Sequence, residues 1–347
     1  MKELFFGEIK KNVKRSALIG VGVALLVLLV LTAIMYNFLQ KTIKEIISDA
    51  MNEEQAQGWE DKGYYLSEED LDDLIATAEA TVSETEQEYK NDKTLYGKLF
   101  RWKNTLSVLK YAKANGYYNK DVRILGVNYG VSELSAEGFL QVYSSLAGVV
   151  LLIYGVVLAS GIFANEYKTG TIKLVLSRPI KKNSLTTAKL LTVYATLTAF
   201  YFVAMLIAFV YGAIAFGSNG AKTVLYAFNN MTAGKSALGA FAFADVFMTL
   251  VQILVTATIA FSLSTLTKKY AVGLLALIIV FLNLGGLLGD LGVTAFLLSN
   301  AFDVMCFFGQ GTVVRNGNFF LSMAVIVFWT AAAITSTYLV VKKRDVF

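Results

Sequence analysis

The sequence predicts an all-α polytopic membrane protein. Two properties carry that prediction: apolar runs long enough to cross a bilayer, and basic residues that fall on one side of them. Of 347 residues, 56% are hydrophobic, and the mean hydropathy of +0.56 lies outside the range of soluble domains. A helix needs about 20 apolar residues to cross roughly 30 Å of hydrocarbon. Runs at 16–39, 139–164, 185–216, 241–266, 271–295 and 319–341 meet that length, which gives six predicted transmembrane helices.

If the six alternate in direction, the lysines and arginines of the flanks fall on one side. Residues 1–15 carry five, 165–184 another five, Lys268 and Lys269 two, and Lys342, Lys343 and Arg344 three. The opposite short loops hold only Lys222, Lys235 and Arg315. Short-loop Lys and Arg stay cytoplasmic, so both termini and the 165–184 link are predicted to be cytoplasmic.

Residues 1–15 place Leu4, Phe5, Ile9 and Val13 roughly on one face, with Lys10, Lys11, Lys14 and Arg15 elsewhere. That pattern suits a helix lying in the membrane interface; a plain basic orientation signal accounts for it equally well. The first run, 16–39, is longer than a signal-peptide core and is followed by no small-residue cleavage site, so it is read as a retained span.

Residues 40–138 hold 12 basic and 19 acidic residues. Long loops translocate largely regardless of charge, and the segment is predicted to be an extracellular helical domain inserted between helices 1 and 2. One helix begins at Ser67-Glu68-Glu69-Asp70, with Ser67 as its cap and Leu71, Leu74, Ile75 and Ala78 at helical spacing. A second, about 96–114, aligns Leu99, Trp102, Leu106 and Leu109, and the charged stretch 84–92 between them is read as solvated.

The third run is too long for one straight span and implies tilt. The fifth ends in Leu284-Gly285-Gly286-Leu287-Leu288-Gly289-Asp290-Leu291-Gly292, which predicts a break or re-entrant turn. Residues 342–347 form a cytoplasmic tail.

Several chemistries are excluded. The chain has no histidine and one cysteine, Cys306, so a disulfide framework and histidine-based catalysis are ruled out, and zinc and copper lose their commonest ligand. Gly234-Lys235-Ser236 resembles the end of a phosphate-binding loop, but Asn229 stands where that motif needs glycine and no preceding strand is expected. Gly217 to Thr223 fails likewise, with Ala221 in the glycine position. No nucleotide site, nucleic-acid site or metal site is therefore assigned.

Asp245, Asp290 and Asp303 are the ionisable candidates nearest the span interiors, and each falls near an outer end, where a hydrated interfacial carboxylate is the simplest reading. Gln252 and Asn283 sit deeper and are read as interhelical hydrogen-bonding groups. Tyr143, Tyr154, Tyr194, Phe200, Tyr201, Phe202 and Tyr211 are read as packing or interface-belt residues. No substrate site is assigned.

The link is more specific. Glu166 opens it, Gly170-Thr171 makes a turn, Leu174 and Leu176 lie in a short apolar run, and Ser177-Arg178-Pro179 precedes Lys189 on the next helix. Pro179 is the only proline in the chain. Glycine at 170 permits a tight turn and Pro179 stops a short helix.

Taken with six spans, an interfacial N-terminal helix and a glycine-broken fifth span, these residues resemble the type-2 ABC-exporter permease family. The likeness covers about 250 transmembrane residues and omits the 40–138 insertion. The order Ser177-Arg178-Pro179 departs from the family pattern, in which proline often precedes Ser-Arg, and leaves open which of Arg178 and Pro179 takes the family role.

The resemblance implies a coupling helix at 165–184, with Glu166, Gly170, Thr171, Leu174, Leu176, Arg178, Pro179 and Lys189 as coupling residues for a separate ABC ATP-binding subunit. It also implies ATP and Mg²⁺ on that subunit rather than on this chain, a second permease copy forming a homo- or heterodimer, and a multi-pass place in a bacterial plasma membrane. The expected cargo is an amphipathic peptide, antibiotic or lipid-like compound. Sodium export, and an ATPase-independent sensor or assembly factor using the external domain, are the alternatives.

Overall fold

The computed structural model describes residues 2–13, 15–50, 68–117, 122–124, 135–172, 181–228, 232–281, 294–308 and 317–343. Five described helices are long and apolar enough to cross a membrane: Arg15–Phe38 within α2 (Arg15–Ala50), α5 (Ala136–Thr169), α6 (Lys182–Phe216), α7 (Leu238–Thr267) and α11 (Phe319–Lys343). The chain is thus a mostly helical, membrane-embedded protein. A short helix, α1 (Lys2–Asn12), precedes them, and α3 (Glu68–Asn91) and α4 (Tyr96–Asn115) stand between α2 and α5.

Only the first part of the expected fifth span, 271–295, is among the described residues as helix. Its described part is α8 (Tyr270–Gly273) and α9 (Leu275–Phe281), and α10 (Leu298–Ala301) follows. The glycine-rich stretch 284–292 lies outside the described residues.

α5 and α7 form the centre, with 61% and 56% of their apolar windows buried, against 22–28% for the other three spans. Small residues set the close approaches. A Cβ on Gly148 of α5 would lie 2.6 Å from Thr249 Cγ2 on α7, and one on Gly273 would collide with the Ser160 side chain and come within 3.1 Å of the Ala260 carbonyl oxygen.

Without a hydrophobic force between helices in lipid, such contacts carry the packing. Gly273→Ala is expected to destabilise the protein by about 1–3 kcal/mol through overpacking. Adding Ser160→Gly should recover most of that, a coupling readable as the thermal midpoint of the purified chain. Additive effects would refute the contact.

Hydroxyls pin the spans together. Tyr143 donates to the Leu25 carbonyl of α2 at 3.0 Å. Ser144 and Tyr201 share a 2.7 Å hydrogen bond, and Tyr201 donates to the Val246 carbonyl of α7 at 2.7 Å. At the start of α5, Ser135 caps the Gly138 N–H. The buried Glu137 carboxylate accepts from the Ser218 hydroxyl and the Asn219 N–H, a favourable place for a negative charge beside a helix N-terminus.

The region between α2 and α5 is more than a helical insertion. α3 and α4 pack antiparallel, and Leu71, Ala78, Val108, Leu109 and Ala112 meet Leu225 and Ala227. The last two belong to a sheet formed with the α6–α7 connection: β1 (Val122–Ile124) pairs parallel with β2 (Thr223–Phe228), which pairs antiparallel with β3 (Thr232–Ala237). This sheet adds strands to the all-α expectation.

It also corrects one premise about Gly234-Lys235-Ser236. A strand does precede these residues, but they sit inside β3, opposite Tyr226 to Val224 of β2. They therefore form no strand-to-helix loop, and the phosphate-loop reading fails on that ground as well.

Residues 84–91, expected as a charged, solvated stretch between the two helices, are mostly exposed but continue α3. Facing ion pairs explain this: Asp72–Lys113, Glu79–Lys110, Glu86–Lys103 and Glu88–Lys98 run along the α3–α4 seam. The Lys103 ammonium holds the Glu86 carboxyl below the ordinary carboxylate range. Exposed pairs of this kind contribute little each, so they set register while the apolar seam supplies the stability. Gly116, at φ 67°, ends α4 in the left-handed conformation.

Candidate functional site: a buried lysine between two carboxylates

Three segments distant in sequence meet at the end of the bundle away from the sheet: α1, the last turns of α5 and the first turns of α6. At their junction Lys189 is fully buried, with Nζ 2.8 Å from Glu166 Oε1 and 2.9 Å from Glu8 Oε2. Lys11 makes a second, shorter contact to Glu166 Oε1 from the solvent side. Glu8 is 6% and Glu166 3% exposed. The cluster holds two carboxylates and two ammonium groups, so its formal charge is zero.

That balance is the physical condition for its burial. An isolated charge in a low-dielectric interior costs several kcal/mol, which partners with good geometry can repay. Asn12 reinforces the site by donating to Glu8 Oε2 at 2.7 Å, and the Lys189 ammonium lies 5.1 Å from the centre of the Phe163 ring, a cation–π distance. Glu166 Oε2 has no hydrogen-bond partner among the described residues.

The helices place these groups for simple reasons. α1 turns Leu4, Phe5, Glu8, Ile9 and Asn12 toward the bundle and leaves Phe6 65% exposed, so Glu8 rides on the half-buried face. Lys189 lies two turns into α6, on the same side as the buried Leu185, Thr186 and Thr192. Gly170 ends α5 at φ 74°, its N–H bonded to the Tyr167 carbonyl, and no described atom lies within 4 Å of where its Cβ would be. Thr171 shares a 2.9 Å hydrogen bond with Thr169.

Among the described residues no group of three or more His, Cys, Asp or Glu could hold a metal ion. What the cluster does is make α1, the α5 end and the α6 start one electrostatic unit on either side of the link.

The structure brings Glu166 and Lys189 together and sets Gly170 and Thr171 on the adjoining turn. Leu174, Leu176, Arg178 and Pro179 lie outside the described residues. Glu166 spends its described ion pairs inside the chain, on Lys189 and Lys11. Sequence reasoning missed Glu8 altogether. Its signal was present: a lone carboxylate on the same helical face as Leu4, Phe5 and Ile9, at a position where a solvated charge would not be placed.

A family model described as a protein of unknown function, DUF2705, matches residues 118–347. The chain belongs to the DUF2705 family. The DUF2705 match takes in Glu166, Gly170 and Lys189 and stops short of Glu8, Lys11 and the α3–α4 pair. None of the curated proteins matches the chain.

Proposed function

We propose that this DUF2705 chain is the membrane-spanning permease subunit of an ATP-driven ABC exporter. It pairs with a second permease copy, and a separate ABC ATP-binding subunit, carrying ATP and Mg²⁺, drives it. It lies in the plasma membrane with both termini and the 165–184 link on the cytoplasmic side, and it carries an amphipathic peptide, antibiotic or lipid-like compound outward. The chain itself performs no bond chemistry. ATP binding would draw the partner subunits together, and the link would pass that motion to the spans as a rigid-body shift.

One observation supports this reading above the others: the buried Glu8–Lys189–Glu166 cluster. A link joined only at its own ends would bend under load. Here α1, α5 and α6 are tied by charges that cannot separate without being stranded in a low-dielectric setting. A push on the link therefore moves two long spans and the N-terminal helix together.

A second reading, an ATPase-independent sensor, is favoured by the organised α3–α4 and sheet unit. It needs no ATP-binding partner.

The sidedness that the proposal requires can be tested directly. In a Cys306→Ala background, Glu84→Cys in α3 should react with a membrane-impermeant maleimide added to intact cells, whereas Lys168→Cys should react only after permeabilisation. Both positions are exposed. The reverse pattern would put the link outside and end the exporter reading.

A further inference from the structure

The two spans at the centre of the bundle do not close on each other at the sheet end. Between the first halves of α5 and α7, with α10 and Asp303 on the third side, lies an open cavity of about 540 Å³. That volume falls in the range of about 300–1,000 Å³ typical of small-molecule sites. Asp245 and Asp303, 58 residues apart in sequence, both line it.

Neither carboxylate has an ion-pair partner among the described residues. Asp303 lines the cavity and is exposed as a residue, with protein packed around its carboxyl. That burial pushes its carboxyl above the ordinary range, partly offset by a backbone hydrogen bond from Cys306. Gln252 adds an amide deeper along α7, and Val149, Met248 and Phe302 give the wall an apolar side.

We infer that this cavity binds an organic monocation with an apolar body, the ammonium- or phosphonium-like centre between Asp245 and Asp303 and the body against Val149, Met248 and Phe302. Two carboxylates facing one space repel each other when both are ionised, and a cationic ligand would offset that repulsion. A bare metal ion fits less well. It needs a tight shell of oxygens within about 2.6 Å, whereas this space has a volume of about 540 Å³ and a wall that includes Val149, Met248 and Phe302. The inference deepens the exporter reading, on which it rests for its meaning as cargo, by naming the cargo's chemical class.

The test uses the full chain in lipid nanodiscs without any ATP-binding subunit, so its outcome does not depend on whether such a subunit exists. The probe is tetraphenylphosphonium, followed by isothermal titration at low ionic strength. Saturable binding is expected, weakened about 10-fold or more in Asp245→Asn and again in the Asp245→Asn, Asp303→Asn pair, as loss of close charge contacts dictates. Asp245→Glu, which keeps the charge, should retain most of the affinity, and Asp72→Asn in α3 should change nothing.

Absence of saturable binding, equal binding by the doubly neutral variant, or displacement of the probe by equimolar sodium would each overturn the inference. The exporter reading itself fails separately, through sidedness or through the absence of an ATP-binding partner.

Discussion

Lys189→Met is expected to destabilise the folded chain by about 3–5 kcal/mol, the penalty for breaking a buried ion pair from one side. The substitution leaves the buried Glu8 carboxylate with only the Asn12 amide from its described cluster, and leaves Glu166 dependent on Lys11 alone. Removing the stranded charge should reverse most of the loss, so Lys189→Met with Glu8→Gln should be more stable than Lys189→Met alone. Lys11→Met, by contrast, removes an ammonium that is 45% exposed. Its effect should be clearly smaller than that of Lys189→Met, because the Lys11 ammonium is half in solvent and Glu166 keeps Lys189.

Thermal unfolding of the purified chain in detergent separates these outcomes. If Lys189→Met unfolds at the wild-type midpoint, or the Glu8→Gln addition lowers it further, Lys189 does not hold the cluster together.

Helix existence was legible where the chain speaks through long-range composition. The runs at 16–39, 139–164, 185–216, 241–266 and 319–341 each coincide with a helix to within a few residues, because twenty apolar residues have few alternatives to a span. The 96–114 helix was equally plain from its apolar face, and its end at Gly116 came from the structure.

The fifth segment was not settled by hydropathy, because apolarity sets residence in lipid and says little about continuity. The turn at Leu274 between α8 and α9 follows Gly273, which packs closely against Ser160 and Ala260. The sheet was hidden for another reason. Thr232 to Ala237 reads Thr-Ala-Gly-Lys-Ser-Ala, poor in strand formers, and it is a strand because β2 supplies its hydrogen bonds.

The candidate site was half legible. Glu166, Gly170 and Lys189 stand out as punctuation of a basic link. Their partnership with Glu8 does not, since the contact spans 181 residues and exists only once α1 lies against α6. The cavity is a similar case. Asp245 and Asp303 each read singly as a hydrated carboxylate at a span end, and only the fold shows that they face one space. Charge meaning of this kind lies in pairs, and pairs are a property of the tertiary structure.

The exporter account stands or falls on a physical partner. The decisive measurement is affinity purification of the tagged full chain from its native membranes in mild detergent, with the co-purifying proteins identified by mass spectrometry. The account predicts an ATP-binding subunit bearing a phosphate loop and an ABC signature, recovered in equal amounts with the wild-type chain. It also predicts poor recovery with Gly170→Val, which strains only the left-handed turn at φ 74° by about 1–2 kcal/mol and should leave the spans folded. Recovery of the chain with no ATP-binding subunit, or undiminished recovery with Gly170→Val, would contradict it.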